Sequence, residues 1–355
     1  MTQVSGPRYR TELVDASAVR EEWEQVVVEA EAPLFYQPDV LDAYRQNPLR
    51  ETLREARLCV RNEPDARLVA VLPIWLLPAS DPLCVLGDVL PGFQPGGRPL
   101  LLSHVWHWYD THLPSRSPHP GVLDSVCQAL EELAGAWDAQ GYGFVNVPAG
   151  GPLAERLAET GRQTREIDGR WQLDLRPFGS VTDYLATLTA RVRQDLARQV
   201  RLARRQGYEV RVLTHEHSDP DVLTQVAELC RVTSDKHGNP GWFDPSGLVA
   251  FTSALGTALR IVAIESPEGL VAGSISLLDG TRLHNWTAGT VPLSDLPFSP
   301  YSVLIQATVA LALAEGCTLL EGGRRNDAWK QRLGMTRVPL LAWMSVAGHN
   351  YCDQA

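Results

Sequence analysis

The sequence predicts an α+β protein in two domains, and three observations carry that prediction. The chain has 355 residues, long for one hydrophobic core. Its apolar residues alternate between the period of strands and the period of helices. Both halves run through the same order of strand, helices, hairpin, helix and strand, which points to a duplicated fold. The division falls shortly before Trp171, giving domains 1–168 and 169–355.

In the first half, Tyr9 to Val14 reads as a strand and Ala16 to Ala30 as a helix with Trp23, Val26 and Val27 on its apolar face. Gln37 to Tyr44 is a short helix. Ala56 to Arg61 and Leu68 to Leu77 are apolar strands joined through Asn62-Glu63-Pro64-Asp65, a hairpin signal. Pro78 to Pro120 is rich in Pro and Gly and reads either as a structured loop over a cleft or as an insertion. Gly121 to Gln140 is an amphipathic helix, Phe144 to Pro148 a strand and Leu153 to Thr160 a short helix.

In the second half, Trp171 to Leu175 is a strand, followed by helices Val181 to Leu188 and Arg191 to Gln206, the latter stopped at Gly207. Glu209 to Leu213 is a strand, Pro220 to Lys236 a long helix and Ser246 to Leu255 another. Arg260 to Glu265, Val271 to Leu278 and Arg282 to Ala288 are antiparallel strands with turns at Ser266-Pro267-Glu268-Gly269 and Asp279-Gly280. Ser299 and Pro300 start a helix that Gly316 stops. Val303 to Ala314 is apolar almost all round, which predicts a buried helix. Cys317 to Leu320 is a strand delivering Glu321 to its end, and Val338 to Val346 closes the sheet.

Composition excludes several classes. A formal charge of −10 argues against DNA or broad nucleic-acid binding and leaves room only for a local basic patch. Cys59, Cys84, Cys127, Cys230, Cys317 and Cys352 show no CxxC or finger spacing, so buried free thiols and no metal site are expected. The start of the chain has no apolar signal core, and no window is long enough to span a bilayer; the expectation is a cytoplasmic protein without membrane contact. A Pro- and Trp-rich chain that prefers Arg to Lys suits a high-GC bacterium. No GxSxG, P-loop or GxGxxG–helix pattern is present.

Four constellations carry chemistry. On the basic helix, Leu188, Val192, Leu196 and Val200 form an inward stripe, while Arg198, Arg201 and their Arg neighbours offer bidentate anion contacts or simply a solvated face. Ala272-Gly273-Ser274, with Ser276 beyond, puts small residues in a strand, which fits either a pantetheine arm lying along it or tight helix packing. His284-Asn285-Trp286, and Trp242 in the aromatic turn Gly241-Trp242-Phe243, could wall an acceptor cleft. The helix start at Tyr301 and Ser302 presents N–H groups to a phosphate. Glu321 could serve as a general base beside Lys330, with Arg324 and Asn326 behind Gly322-Gly323; the competing reading is a structural ion pair with Arg324, Arg325 or Lys330.

The ordered set formed by the Arg-rich helix, EVRV, AGSISLLDGTRLHNWTAG, SPYSVLIQATVALALAEG and LLEGGRRNDAWKQRLG resembles the C-terminal half of the FemAB-like, tandem-domain branch of the GNAT (Gcn5-related N-acyltransferase) superfamily, over roughly Trp171 to Trp343. The resemblance implies two tandem GNAT-like domains, each a mixed, mainly antiparallel sheet flanked by helices. It implies transfer of an acyl or aminoacyl group from a thioester or ester donor to an amine of a small molecule in a biosynthetic pathway. No cofactor is tightly bound; acyl-CoA, an acyl-carrier protein or aminoacyl-tRNA is the co-substrate. By position, Glu321 and Lys330 match the family's catalytic segment, Tyr301 and Ser302 its donor-phosphate helix, and Ser274 and Ser276 line the donor. Arg198 and Arg201 meet a tRNA or an acidic carrier, and Trp242, His284, Trp286, Arg324 and Asn326 meet substrate. A backbone N–H within Val271 to Ser276 holds the oxyanion. The family's Q/R-x-x-G-x-G/A pyrophosphate loop is absent, and Pro297 to Ser302 stands in its place. The alternative is a catalytically silent binding protein for an acylated carrier or small ligand.

Overall fold

The structure, a computed structural model, describes residues 8–15, 17–217, 219–292, 294 and 296–347. The expected helix start at Ala16 and the thiol of Cys352 lie outside them. The chain forms two units, residues 1–168 with 339–355, and residues 169–338.

Unit 1 begins with β1 (Tyr9–Val14), α1 (Arg20–Glu29) and α2 (Pro38–Gln46). The hairpin β2 (Arg54–Asn62) and β3 (Leu68–Leu77) follows. A short α3 (Leu86–Val89) and β4 (Leu100–Leu102) emerge from the Pro/Gly-rich stretch. Then come α4 (Pro120–Ala136), β5 (Gly141–Pro148) and α5 (Pro152–Glu159). The strands of this unit lie in the order β1-β2-β3-β4-β5 and then β12 (Thr336–Val346), all antiparallel except the β4–β5 pair. On α4, Val122, Val126 and Leu130 recur at helical spacing and pack into one core with Leu72, Ile74 and Phe144. The strand β12 (Thr336–Val346), expected to close the second sheet, pairs from Leu340 onward with β5. That destination depends on a partner about 200 residues away in sequence, which no local pattern encodes.

Unit 2 starts from β6 (Arg165–Asp174), α6 (Val181–Thr187) and α7 (Ala190–Arg205). It continues with β7 (Glu209–Thr214), α8 (Pro220–Lys236) and α9 (Pro245–Ala254). The meander β8 (Leu259–Ser266), β9 (Gly269–Asp279) and β10 (Arg282–Thr290) leads to α10 (Pro300–Ala314), β11 (Leu319–Arg324) and α11 (Asp327–Arg332). Its order is β6-β11-β10-β9-β8-β7, again antiparallel except for one pair, β10–β11. The two sheets thus share one topology, and the fold is α+β with two tandem domains of mixed, mainly antiparallel sheet. On α10, Val303, Val309 and Ala312 join Leu173, Ala272, Leu283 and Leu320 in the core. The predicted stripe on α7 is seated, with Leu196 fully buried and Val192 and Val200 packed against the same core.

In unit 1 the parallel pair β4–β5 holds register for three positions, Leu100↔Gly141 to Leu102↔Gly143. The chain then leaves β5 and returns where Thr111 N donates to Asn146 O (3.0 Å). The excursion is a buried polar segment, with Ser103, His104, His107, Asp110 and Thr111 all inside. Asn146, fully buried at φ +62°, ties it down by donating Nδ2 to Trp108 O (2.7 Å). His104 donates Nε2–H to Phe35 O (3.2 Å) and accepts from Val105 N at Nδ1 (3.1 Å).

Candidate functional site

In unit 2 the pair β10–β11 also holds register for three positions, Arg282↔Leu319, Leu283↔Leu320 and His284↔Glu321. Beyond them β10 stays with β9 through an irregularity at Trp286, while β11 shifts register against β6 before reaching Arg324. The parallel strands therefore part after His284 and Glu321. Strands that part leave backbone groups at the fork that need other partners, water or ligand. The chain then turns sharply: Gly323 lies at φ +70°, Arg325 at +63° and Asn326 at +57°. Consecutive non-glycine residues in the left-handed region are costly and occur where surrounding contacts impose them. One such contact is visible. The buried Lys330 ammonium donates to Arg324 O at 2.6 Å and so grips the turn.

Glu321 sits in the middle of β11 rather than past its end, because the strand runs on through both glycines. Gly322 packs against Met335: a Cβ would meet its Sδ at 2.7 Å, so a larger residue there displaces the Met335 side chain. The Glu321 carboxylate is fully buried. Its Oε1 accepts from Gln172 Nε2 at 2.7 Å and lies 3.6 Å from Arg170 Nη1 and 3.8 Å from Arg282 Nη1. Its Oε2 has no hydrogen-bond partner among the described residues. The guanidiniums beside the carboxylate are those of Arg170 and Arg282, which the competing ion-pair reading did not name, since the flanking strands β6 and β10 carry them on the same face as Glu321. His284, also fully buried, places Nε2 3.4 Å from Asp279 Oδ2. A buried carboxylate with one unengaged oxygen can accept a proton; the guanidiniums beside it neutralise its charge.

Small residues in β9 and β10 have a packing cause. A Cβ on Gly273 would sit 2.4 Å from Val226, and one on Gly289 would sit 2.1 Å from the Leu229 backbone, so α8 lies directly on both strands. The face of Gly273 is filled by that helix, not left open for a pantetheine arm. Ser274 and Ser276 alternate to the opposite face, both fully buried. Ser276 Oγ donates to Asn285 Oδ1 (3.5 Å), and Ser274 Oγ has no partner among the described residues. Within the stretch expected to hold the oxyanion, Ala272 to Ser276 are paired on both sides, to β8 and to β10, while Val271 falls at a register shift and belongs to neither ladder.

A groove of about 780 Å³ opens at the start of α10, lined by Thr189, Arg191, Val192, Gln194, Asp195, Leu196 and Arg198 of the α7 region, Ser302, and Trp329, Gln331, Arg332 and Leu333. The Ser299 side chain makes no bond to the helix backbone. The cap comes from α7 instead, where buried Gln199 accepts from Ser299 N at 2.9 Å. Gln306 Nε2 donates to Leu196 O (3.1 Å), locking the same two helices. Tyr301 turns the other way, toward Thr233, and burial raises its phenol above the usual value.

The residues singled out in the sequence thus fall into separate places. Glu321 and His284 meet at the fork, with Arg324 and Asn326 at the turn that follows and Lys330 on α11 behind it. Ser302 and Arg198 line the groove, and Arg201 is exposed on α7 beyond the groove's lining. Trp286 packs edge-on against Phe251 of α9 (5.7 Å), and half-buried Trp242 precedes that helix. Sequence reasoning missed Arg170, Gln172, Arg282 and Arg332, and it placed Trp329 only in the polar cluster after Gly322-Gly323. Only strand register brings the first three to Glu321, and it is α11 that carries Trp329 and Arg332 into the lining of the groove. Among the described residues no helix is long and apolar enough to cross a membrane.

Residues 190–331 match the model of the "Acetyltransferase (GNAT) domain" family. Among curated proteins none matches by sequence. Solved structures match the fold over nearly the whole chain. FemX aligns with a TM-score of 0.62 at 12% identity, over 95% of this chain and 97% of its own. A tandem GNAT protein from the clavulanic acid biosynthesis pathway aligns with a TM-score of 0.59 at 15% identity, over 97% and 100%. The C-terminal domain of a putative lysylphosphatidylglycerol synthetase from Agrobacterium fabrum aligns with a TM-score of 0.55 at 15% identity, over 94% and 93%. At these identities the likeness is one of fold.

Proposed function

We propose that the chain, whose residues 190–331 match the GNAT domain family and whose fold is shared with FemX and a tandem GNAT protein, is an N-acyltransferase of the GNAT superfamily that moves an acyl or aminoacyl group from a thioester or ester donor to an amine of a small molecule in a biosynthetic pathway. The observation that supports this best is the fork of β10 and β11, which ends on a buried carboxylate with one oxygen unengaged.

The acceptor nitrogen attacks the donor carbonyl carbon. A C–N bond forms, the C–S or C–O bond breaks, and the amine proton passes to Glu321 Oε2 directly or through a water. Backbone N–H groups where the strands part hold the oxyanion. The donor phosphates lie at the start of α10 beside Ser302, with the groove along α7 taking the rest. Lys330 acts as a positioning residue that holds the Arg324 carbonyl and with it the turn after the fork. The co-substrate is acyl-CoA, an acyl-carrier protein or an aminoacyl-tRNA, with no tightly bound cofactor.

The test is to incubate the protein with acetyl-CoA, charged carrier protein and aminoacyl-tRNA, each with a panel of small amines, and to follow transfer by mass spectrometry. Glu321→Gln is expected to lose at least about 100-fold in turnover while keeping donor affinity. Unchanged turnover in that variant removes Glu321 from the mechanism, and the absence of transfer from every donor sinks the reading.

A further inference from the structure

The exposed face of α7 carries a line of positive charge that is mostly without ion-pair partners among the described residues. Arg191, Arg201, Arg204 and Arg205 are all exposed and make no ion pair among the described residues, whereas Arg198 pairs with Asp195 at 2.7 Å. On α8, by contrast, Arg231 is matched by both Glu228 and Asp235 at 2.7 Å. Uncompensated arginines on one helix stand out in a chain of net charge −10. The helix is about 24 Å long, and its first half also walls the groove at Ser302.

We propose that α7 is the dock for an acidic carrier protein, whose acyl group hangs on a phosphopantetheine arm that enters the groove. The proposal rests on the acyltransferase reading and names its donor class. The groove's volume of about 780 Å³ is ample for such an arm. A free coenzyme does not account for the charge, because Arg205 lies seven residues, roughly 10 Å, past Arg198, the last α7 residue of the lining. Those arginines meet something larger than what fills the groove. A transfer RNA is the other large anion, but nucleic-acid interfaces spread over roughly 1,000–2,500 Å² of basic surface. Here the charge is one stripe on an acidic chain, which matches a single acidic helix through guanidinium–carboxylate pairs.

The experiment compares the full chain with Arg204→Glu/Arg205→Glu, which alters neither the groove nor the fork. Binding of a phosphopantetheinylated, net-negative acyl carrier protein and of coenzyme A is followed by calorimetry, with the melting temperature as a folding control. The double variant is expected to bind the carrier at least about tenfold more weakly and to lose most of the salt dependence between roughly 50 and 300 mM, with coenzyme A unaffected. Equal carrier affinity in the two proteins overturns the proposal. So does wild-type protein that ignores the carrier and binds aminoacyl-tRNA. Transfer from acetyl-CoA to the amine panel separates the two readings. Turnover without carrier binding removes the dock alone. Carrier binding that depends on the arginines, without turnover from any donor, keeps the dock and removes the acyltransferase reading.

Discussion

His284 and Glu321 are the last two residues that β10 and β11 hold opposite one another, and both are fully buried. The position of Glu321 is therefore fixed by the sheet, and its orientation by three neighbours: Gln172 and Arg170 on one side and Arg282 on the other.

Gln172 is the one whose loss should separate orientation from charge. Its amide donates to Glu321 Oε1 at 2.7 Å, while the guanidiniums stand off at 3.6 and 3.8 Å. Gln172→Leu keeps both cations and removes the bond that aims the carboxylate. A fall in kcat of about 10- to 100-fold with little change in donor KM is expected, together with about 1–3 kcal/mol of stability. Steady-state kinetics and denaturant unfolding check it; a kcat within a factor of two of wild type shows that Gln172 does not orient the base.

Two glycines make opposite predictions. At Gly289 a Cβ would fall 2.1–2.3 Å from the Leu229 and Cys230 backbone, so Gly289→Ala must push α8 off the sheet and is expected to cost about 1–3 kcal/mol or more. At Gly135, in the last turn of α4, nothing lies within 4 Å of the added carbon. Gly135→Ala should stabilise the protein by about 0.5–1 kcal/mol through helix propensity. Thermal melts of the two variants should move in opposite directions.

The cysteines are predicted to separate by reactivity. Burial pushes the thiols of Cys59, Cys127 and Cys230 up to about 12 and that of Cys317 to about 11. Cys84 is exposed, in the Pro/Gly-rich stretch where a buried thiol was expected. Brief treatment of native protein with a thiol reagent, followed by peptide mapping, should modify Cys84 well ahead of those four. Comparable labelling of Cys230 before unfolding contradicts its fully buried position.

Periodicity made much of this fold legible. The bounds of β1, β3 and α8 could be read from the sequence alone, and so could the seating of α7 through Leu196. What stayed hidden was everything set by pairing between distant strands. β11 looked as though it stopped at Leu320 because glycines usually break strands; here the strand runs on through both glycines, and Gly322 lies against Met335. The three Leu residues of β4 were lost among prolines and glycines. Glu321 stood out as a carboxylate after an apolar run, but Arg170 and Arg282 could be assigned to it only once β6 and β10 were known to flank β11. The run from Ser103 to His112, dense in His and Trp, was the one unused signal for a buried polar segment.

That segment sets a pH limit on stability. His104 is fully buried with both ring nitrogens engaged as a neutral imidazole, and desolvation lowers its pKa from 6.5 to about 3. The sign follows from which state binds the proton. Between those two values the unfolded chain takes up a proton that the folded chain refuses, so acid favours unfolding. Stability is intact above about pH 6.5, falls with a slope approaching ~1.4 kcal/mol per pH unit from this group alone, and stops falling on its account below about pH 3. In His104→Gln the side-chain amide can still donate to the Phe35 carbonyl but cannot titrate. Urea unfolding at pH 7.5, 6, 5 and 4 should show the variant less stable at pH 7.5, with the gap to wild type closing as pH falls. A gap that stays constant across that range means the His104 imidazole is protonated in the folded protein as readily as in the unfolded chain, and the buried segment does not exclude the charge.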